Sequence, residues 1–236
     1  MKEYSLALTS NVLEANRLIN VLKKRPKTEM VGLALIYGEP GLGKSRFAFK
    51  HAIDEDCIYF SLEAVMTAKS FVEGLYSCLC EFYCIAQIRS ARNAAAVFHQ
   101  VIDILNDHPD AIIFIDEIDY AFKSKRLLGA IRDLADRTLA TFILIGMANA
   151  KQQLMAANSH YFDRCNFFCE FKKMSKKDIA VILQEASEIS YEPAVIEYLH
   201  KITVGNIRRL VKAVFTLEAV AADNNITSIS MQHIEG

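Results

Sequence analysis

The chain is 236 residues long, carries 27 basic and 28 acidic side chains for a net charge of −1, and is 52% hydrophobic. That length suits one α/β domain of about 170 residues with a small appendage, and its near neutrality excludes a whole-molecule electrostatic pull toward nucleic acid. No repeat, low-complexity tract or Gly/Ser/Pro linker interrupts it; Thr9-Ser10-Asn11 cuts short any signal-peptide core, and no apolar run reaches the roughly 20 residues of a bilayer span, so a cytoplasmic protein is expected.

The first strong element is the apolar run Val31–Tyr37, read as a β-strand, which leads into Gly38-Glu39-Pro40-Gly41-Leu42-Gly43-Lys44-Ser45. This is a complete G-x-x-x-x-G-K-[ST] phosphate-binding loop, and the helix-compatible Arg46–Ala52 follows it, so the strand–loop–helix context is present. Three glycines let the backbone curl with its N–H groups toward an anion, and the helix N-terminus adds partial positive charge. Residues 38 to 46, through Arg46, are therefore expected to hold ATP. Lys44 would reach the β- and γ-phosphates, and the Ser45 hydroxyl would ligate Mg²⁺.

A further strand is predicted at Cys57–Ser61, with helices over 70–86 and 92–106. Cys78, Cys80 and Cys84 fall in the first of these helices, Cys80 and Cys84 on one face. Without a Cys-x-x-Cys knuckle or paired histidines, the six cysteines (57, 78, 80, 84, 165 and 169) read as buried free thiols in preference to a zinc site.

Next comes Ala111-Ile112-Ile113-Phe114-Ile115-Asp116-Glu117, whose continuous, β-branched apolar run predicts a central parallel strand covered on both faces. Two carboxylates at the end of such a strand, downstream of a phosphate loop, suit a nucleotide site: Asp116 to hold Mg²⁺ and Glu117 to polarise the attacking water. A helix over 126–137 and a strand at Thr141–Gly146 continue the alternation. The expected fold is a doubly wound parallel sheet with its ligand at the strands' carboxyl ends.

From Met174 the pattern becomes helical. Ser175 reads as an N-cap with Asp178 as its partner three residues on. Helices follow at Pro193–Ile202 and Asn206–Ala222, with Gly205 turning the chain between them, and the longest strand-like segment left is Ile226–Met231. The predicted organisation is an ATPase domain over 1–173 and a small helical lid over 174–236. The local basic clusters, including Lys23-Lys24-Arg25-Pro26-Lys27, each read as solvated surface.

This combination resembles the AAA+ ATPases, a P-loop family in which a doubly wound parallel sheet carries a small C-terminal helical lid. Gly205-Asn206-Ile207-Arg208-Arg209-Leu210 resembles that family's second sensor, where a lid arginine reaches the γ-phosphate; Arg208 matches it, with Arg209 as the alternative. Nearly the whole chain is similar to the AAA+ ATPases that assist DNA transposition, the Mu phage B protein and its TnsC-like and IstB-like relatives. The similarity runs through Thr9-Ser10-Asn11-Val12, the phosphate loop, Ile115-Asp116-Glu117 and Leu144-Ile145-Gly146-Met147. It continues in Tyr161-Phe162-Asp163-Arg164, Lys176-Lys177-Asp178 and the lid.

In such proteins ATP lies between neighbouring subunits, and an arginine from one completes the site of the next. The resemblance assigns that role to Arg164, with Arg132 and Arg137 as lesser candidates. Two departures stand out. Met147 occupies the place of the family's water-orienting polar residue, for which Asn149 is the nearest substitute, so slow turnover is expected. The chain also begins almost directly with the ATPase, without the Mu protein's extra N-terminal DNA-binding domain. DNA contact then falls to Thr67, Lys69, Arg89 and Arg92, after the second strand.

The resemblance thus implies an ATP-hydrolysing homo-oligomer, a ring or helical filament, on non-specific double-stranded DNA, which recruits a partner such as a transposase. Without aromatics arranged for base stacking, backbone contact with steep salt dependence is expected. A helicase loader or replication initiator, and a nucleotide-gated signalling or defence module that binds no DNA, are the alternative readings. A metabolic phosphotransferase fits less well, since small-molecule kinases carry an arginine-rich lid within the α/β domain.

Overall fold

Apolar, β-branched runs pair as parallel strands when both faces of the sheet are covered, and such runs form the centre of a five-stranded sheet here. A computed structural model describes residues 6–87, 93–157 and 163–235. The strands are β1 (Leu33–Gly38), β2 (Ile58–Ser61), β3 (Ile112–Asp116), β4 (Thr141–Gly146) and β5 (Cys165–Phe171). They form one all-parallel sheet in the order β2-β3-β4-β1-β5. β3 and β4 are buried along their whole length.

The two-residue period of a strand divides the core. Leu33, Leu35, Ile113, Ile115, Phe142 and Leu144 point to one face, where α3 (Ala68–Phe82), α4 (Ala94–Asp107) and α5 (Lys125–Arg137) cover them. Ala34, Ile36, Ile112, Phe114, Ile143 and Ile145 point to the other, under α1 (Ser10–Lys23) and α2 (Lys44–Asp54). Phe47 sets the seat of α2: it is fully buried, with Phe171 and Phe114 ring centroids at 5.9 and 6.3 Å. Burying such a side chain contributes about 1.5–3 kcal/mol, and it holds the phosphate loop against the sheet.

After β5 come α6 (Lys176–Ala186), α7 (Pro193–Thr203), α8 (Ile207–Asp223) and α9 (Gln232–Glu235), while a short helix, Ala150–Ala157, lies between β4 and β5. Ile179, Leu183, Val195, Leu199, Leu210 and Val214 form a separate core, joined by Ala7 from the N-terminal segment. A parallel pair, Ser190–Tyr191 with Ser228–Ile229, closes its far side, so this region is not purely helical as expected. The anticipated strand at Ile226–Met231 shrinks to those two residues. The Ser175–Asp178 capping box forms as the sequence indicates. Asp178 also accepts from Ser10 N at 2.7 Å and Ser10 Oγ at 2.9 Å, and the Asn11 side chain bonds both N–H and C=O of Lys172. Thr9-Ser10-Asn11 thereby ties the start of α1 to the end of β5 and the start of α6.

Several expectations need correction. The helix read over 70–86 ends at Phe82, and Cys84 follows it at φ 54°; Cys84 is exposed and Cys78 half-buried, so only Cys57, Cys80, Cys165 and Cys169 are buried thiols. Arg25 is not solvated surface. The residue is 7% exposed, and its guanidinium donates to Leu22 O, Met30 O, Leu139 O, Ala140 O and Thr141 Oγ1, pinning the end of α1 beneath β4. Gly32 packs tightly beside it: a Cβ there would lie 2.2 Å from Arg25 Nη2 and 2.5 Å from the backbone oxygen of Ala140. Strand β5, helix α1 and Ala150–Ala157 were not anticipated. Among the described residues no helix is long and apolar enough to cross a membrane.

Candidate functional site

Parallel sheets with crossover helices open a crevice at the carboxyl ends of their strands, and here β1, β3 and β4 deliver their ends to one cavity of about 640 Å³. Its floor is the loop between β1 and α2. Gly38, Gly41 and Gly43 take φ values of 153°, 78° and 92°, the last two in the left-handed region where a Cβ is strained. Gly43 caps α2 with no side-chain bond, and the first N–H groups of a helix have no partner within the helix itself. Lys44 is buried and donates to Gly38 O at 2.8 Å and Glu39 O at 2.9 Å, which engages two of an ammonium's three donors. Burial lowers its pKa, against an opposing pull from Asp116, Asp119 and Glu117.

The acidic wall is the end of β3. Asp116, 3% exposed, accepts from Tyr59 Oη at 2.6 Å on Oδ2 and from Glu117 N at 2.8 Å on Oδ1. Glu117 leaves the strand at φ 57°, a left-handed conformation that a non-glycine residue holds only where the surroundings enforce it. Burial raises the Glu117 pKa, and the neighbouring Asp116 and Asp119 raise it further. Burial likewise pushes the Tyr59 phenol up, and its bond to Asp116 adds to this; the hydroxyl keeps its proton. Asp119 reaches across to β4, accepting from Met147 N at 2.8 Å.

The roof is the start of α8. Asn206 caps that helix through Arg209 N and donates from Nδ2 to Pro40 O at 3.0 Å, while Arg208 N donates to Gly41 O at 3.3 Å. Ile207, Arg208, Val211 and Lys212 line the cavity opposite the loop. A second recess of about 20 Å³ adjoins at Gly43, Arg46 and Ile207, with Leu6, Ala7, Val12, Leu42, Phe171 and Met174 making it largely apolar.

The residues singled out from the sequence separate clearly. Pro40, Gly41, Gly43, Lys44, Ser45, Arg46, Asp116, Glu117 and Arg208 surround the larger cavity, and Leu42 lines the smaller recess. Gly38 and Glu39 contribute carbonyls to Lys44, and the Glu39 side chain instead pairs with Lys173 at 3.4 Å. Asn149 does not join them: β4 ends at Gly146, Met147 lines the cavity, and Asn149 is exposed in the turn beyond. Arg164 lies apart from the cavity, with Nε bonded to Asp136 at 2.6 Å. Thr67 caps α3 in a capping box with Ser70, and Lys69 lies 3.7 Å from Glu73. Arg89, Arg92 and Tyr161-Phe162 fall outside the described residues. Tyr59, Asn206 and Asp119 were not singled out; Asn206 carried a readable signal, a capping residue after glycine, but the other two bonds depend on which strands pair.

A nucleoside triphosphate fits this arrangement in kind, because a glycine-rich turn, a helix N-terminus and a buried ammonium converge on one cavity. The Ser45 hydroxyl and Asp116 carboxylate, both at the cavity wall, are hard oxygen donors of the type magnesium takes.

Residues 29–154 match the protein family described as AAA domain. No curated protein sequence matches the chain. Among solved structures, Aeropyrum pernix ORC2, seen with ADPNP and ADP, is similar at 17% identity and a TM-score of 0.69 over 99% of this chain and 69% of that one. Aeropyrum pernix ORC1 in complex with DNA matches at 15% identity and TM-score 0.61, over 97% of this chain and 64% of that one. Thermotoga maritima RuvB, a Holliday junction branch migration motor, matches at 18% and 0.63, over 96% and 67%. At these identities the likeness is one of fold.

Proposed function

The chain belongs to the AAA domain family, and we propose that it is a slow ATPase that assembles with ATP into a ring or filament on double-stranded DNA and recruits a partner such as a transposase. One observation carries the ATP-binding core of this reading: the phosphate loop, the strand-end carboxylates and a lid arginine surround a single cavity.

In this reading the backbone N–H groups after Gly41 and the Lys44 ammonium cradle the phosphates. Ser45 and Asp116 hold Mg²⁺, which supplies charge neutralisation at the phosphates. Glu117, its basicity raised by burial and by two neighbouring carboxylates, accepts a proton from the attacking water. Arg208 meets the γ-phosphate from the molecule's own lid, and Arg164 of an adjacent copy meets it from outside, balancing charge as the terminal P–O bond breaks. With Met147 and not a polar side chain at the end of β4, the water is oriented by Glu117 alone, and turnover is slow.

DNA is the chosen ligand on the resemblance to transposition ATPases, supported by the DNA-bound relative of the same fold. Thr67, Lys69, Arg89 and Arg92 are the candidate contacts. A near-neutral subunit makes few phosphate contacts alone, but copies along an assembly sum them with steep salt dependence. Filter binding of duplex DNA with ATP, ADP or no nucleotide, at two salt concentrations, tests this. Retention that needs ATP and falls with salt is expected. Equal retention with ADP, or none at low salt, points to a nucleotide-gated module without DNA.

A further inference from the structure

The side chain that orients the acidic wall comes from the edge of the sheet. In the β2–β3 register Tyr59 pairs with Phe114, and Phe114 and Asp116 share one face of β3. A side chain as long as tyrosine's therefore reaches diagonally to Asp116, and its hydroxyl donates there at 2.6 Å. Glu117 N holds the other carboxylate oxygen at 2.8 Å. With one bond on each oxygen among the described residues the carboxylate plane is fixed, and each oxygen has a second lone pair at the cavity wall shared with Ser45. The tyrosine ring is itself clamped edge-on by Phe49 of α2, with centroids 5.5 Å apart and an interplanar angle of 86°.

We propose that Tyr59 is a positioning residue for the divalent cation: its hydroxyl sets the Asp116 carboxylate in the orientation that receives Mg²⁺ or the cation's water shell. This rests on the ATP–Mg²⁺ reading above and adds to it the residue that controls cation affinity separately from nucleotide affinity. Asp116 is 3% exposed, so few waters stand ready to take the place of a lost donor. Without that donor the carboxylate rotates more freely and presents a less defined ligand. Outer partners of metal-holding groups typically govern about 10- to 100-fold of metal affinity.

The test is Tyr59→Phe, which keeps the ring and removes only the oxygen. Binding of a fluorescent ATP analogue is followed by anisotropy across a Mg²⁺ series and in EDTA. The expected result is unchanged affinity in EDTA and a Mg²⁺ midpoint raised about tenfold. An unmoved midpoint overturns the inference, as does an affinity loss equal in EDTA and in Mg²⁺, which would mark a merely structural role. Phe49→Ala, at a residue 54% exposed, loosens the ring without touching the hydroxyl; it gives a smaller shift in the same direction and serves if Tyr59→Phe fails to fold. A wild-type chain that binds no nucleotide in either condition overturns the functional reading itself, whereas an unmoved midpoint in a binding-competent variant overturns the Tyr59 role alone.

Discussion

Replacing Gly41 with alanine tests whether the lid is keyed into the phosphate loop. Gly41 sits at φ 78°, a left-handed conformation that costs an L-residue about 1–2 kcal/mol. A Cβ there would lie 2.6 Å from Nδ2 and 2.7 Å from Oδ1 of Asn206, so that amide must move. It is not free to do so: Oδ1 accepts from Arg209 N at 3.2 Å as the cap of α8, and Nδ2 donates to Pro40 O at 3.0 Å. Losing the cap costs about 1 kcal/mol and the amide–carbonyl bond about 0.5–1.5 kcal/mol, so the substitution destabilises the chain by about 3 kcal/mol in all. For a chain of this length that lowers the melting temperature by about 6–12 °C. Calorimetry on a double-mutant cycle isolates the cause. Asn206→Ala should cost about 2 kcal/mol in the wild type and close to nothing after Gly41→Ala, because the same bonds are already broken. Strict additivity of the two substitutions would refute the steric argument.

The other expectations concern charge. Lys44→Ala removes the buried ammonium of the loop and should weaken ATP binding by about 100-fold or more in calorimetric titration, as expected for a charge-assisted contact worth about 3 kcal/mol; retained affinity contradicts the loop's role. Glu117→Gln should keep ATP while lowering turnover about 10²- to 10⁴-fold, and normal turnover in a phosphate-release assay would move the base elsewhere. Because Glu117 acts deprotonated and its pKa is raised by burial and then by Asp116 and Asp119, wild-type turnover should fall with decreasing pH before the ordinary carboxylate range is reached. A rate that holds flat down into that range contradicts this. Asp178 has the opposite sign: burial pushes its pKa up, but hydrogen bonds from Ser10 and Ser175 outweigh it and hold the value low. Its contribution is present above the ordinary carboxylate pKa and lost as pH falls through the lower folded value. Asp178→Asn should cost about 1.5–3 kcal/mol at neutral pH and blunt the acid-side loss of melting temperature; an unchanged acid profile counts against the tie.

What the sequence disclosed was local. Gly38–Ser45 carries its own conformational demand in three glycines and a lysine, and Ala111–Asp116 carries burial on both faces in an unbroken apolar run, so loop and carboxylates could be placed before any pairing was known. Strand β5 escaped notice because Cys165–Phe171 interleaves Asn166 and Glu170 with its aromatics and sits at a sheet edge beside β1, where an unbroken apolar run is not required. The helix ending at Phe82 looked longer because Tyr83-Cys84-Ile85 is apolar, yet Cys84 turns left-handed and Ile85 N folds back to Cys80 O at 2.8 Å. Arg25 read as surface because three of its five acceptors, Leu139 O, Ala140 O and Thr141 Oγ1, lie more than a hundred residues away. The bonds Tyr59–Asp116 and Asp119–Met147 were illegible for the same reason: each depends on the strand order β2-β3-β4, which no single segment encodes. Met147 shows the reverse case, a departure visible in the sequence that the structure retains at the cavity wall.

The central claim is that a triphosphate is gripped where one copy of the chain meets the next. Sedimentation velocity of the purified chain with Mg²⁺ and a non-hydrolysable ATP analogue, against ADP, tests it most directly. The account predicts species larger than a monomer with the analogue, dispersing with ADP and weakened in Arg164→Ala. A chain that binds the analogue and sediments as a monomer, with or without duplex DNA, would contradict it.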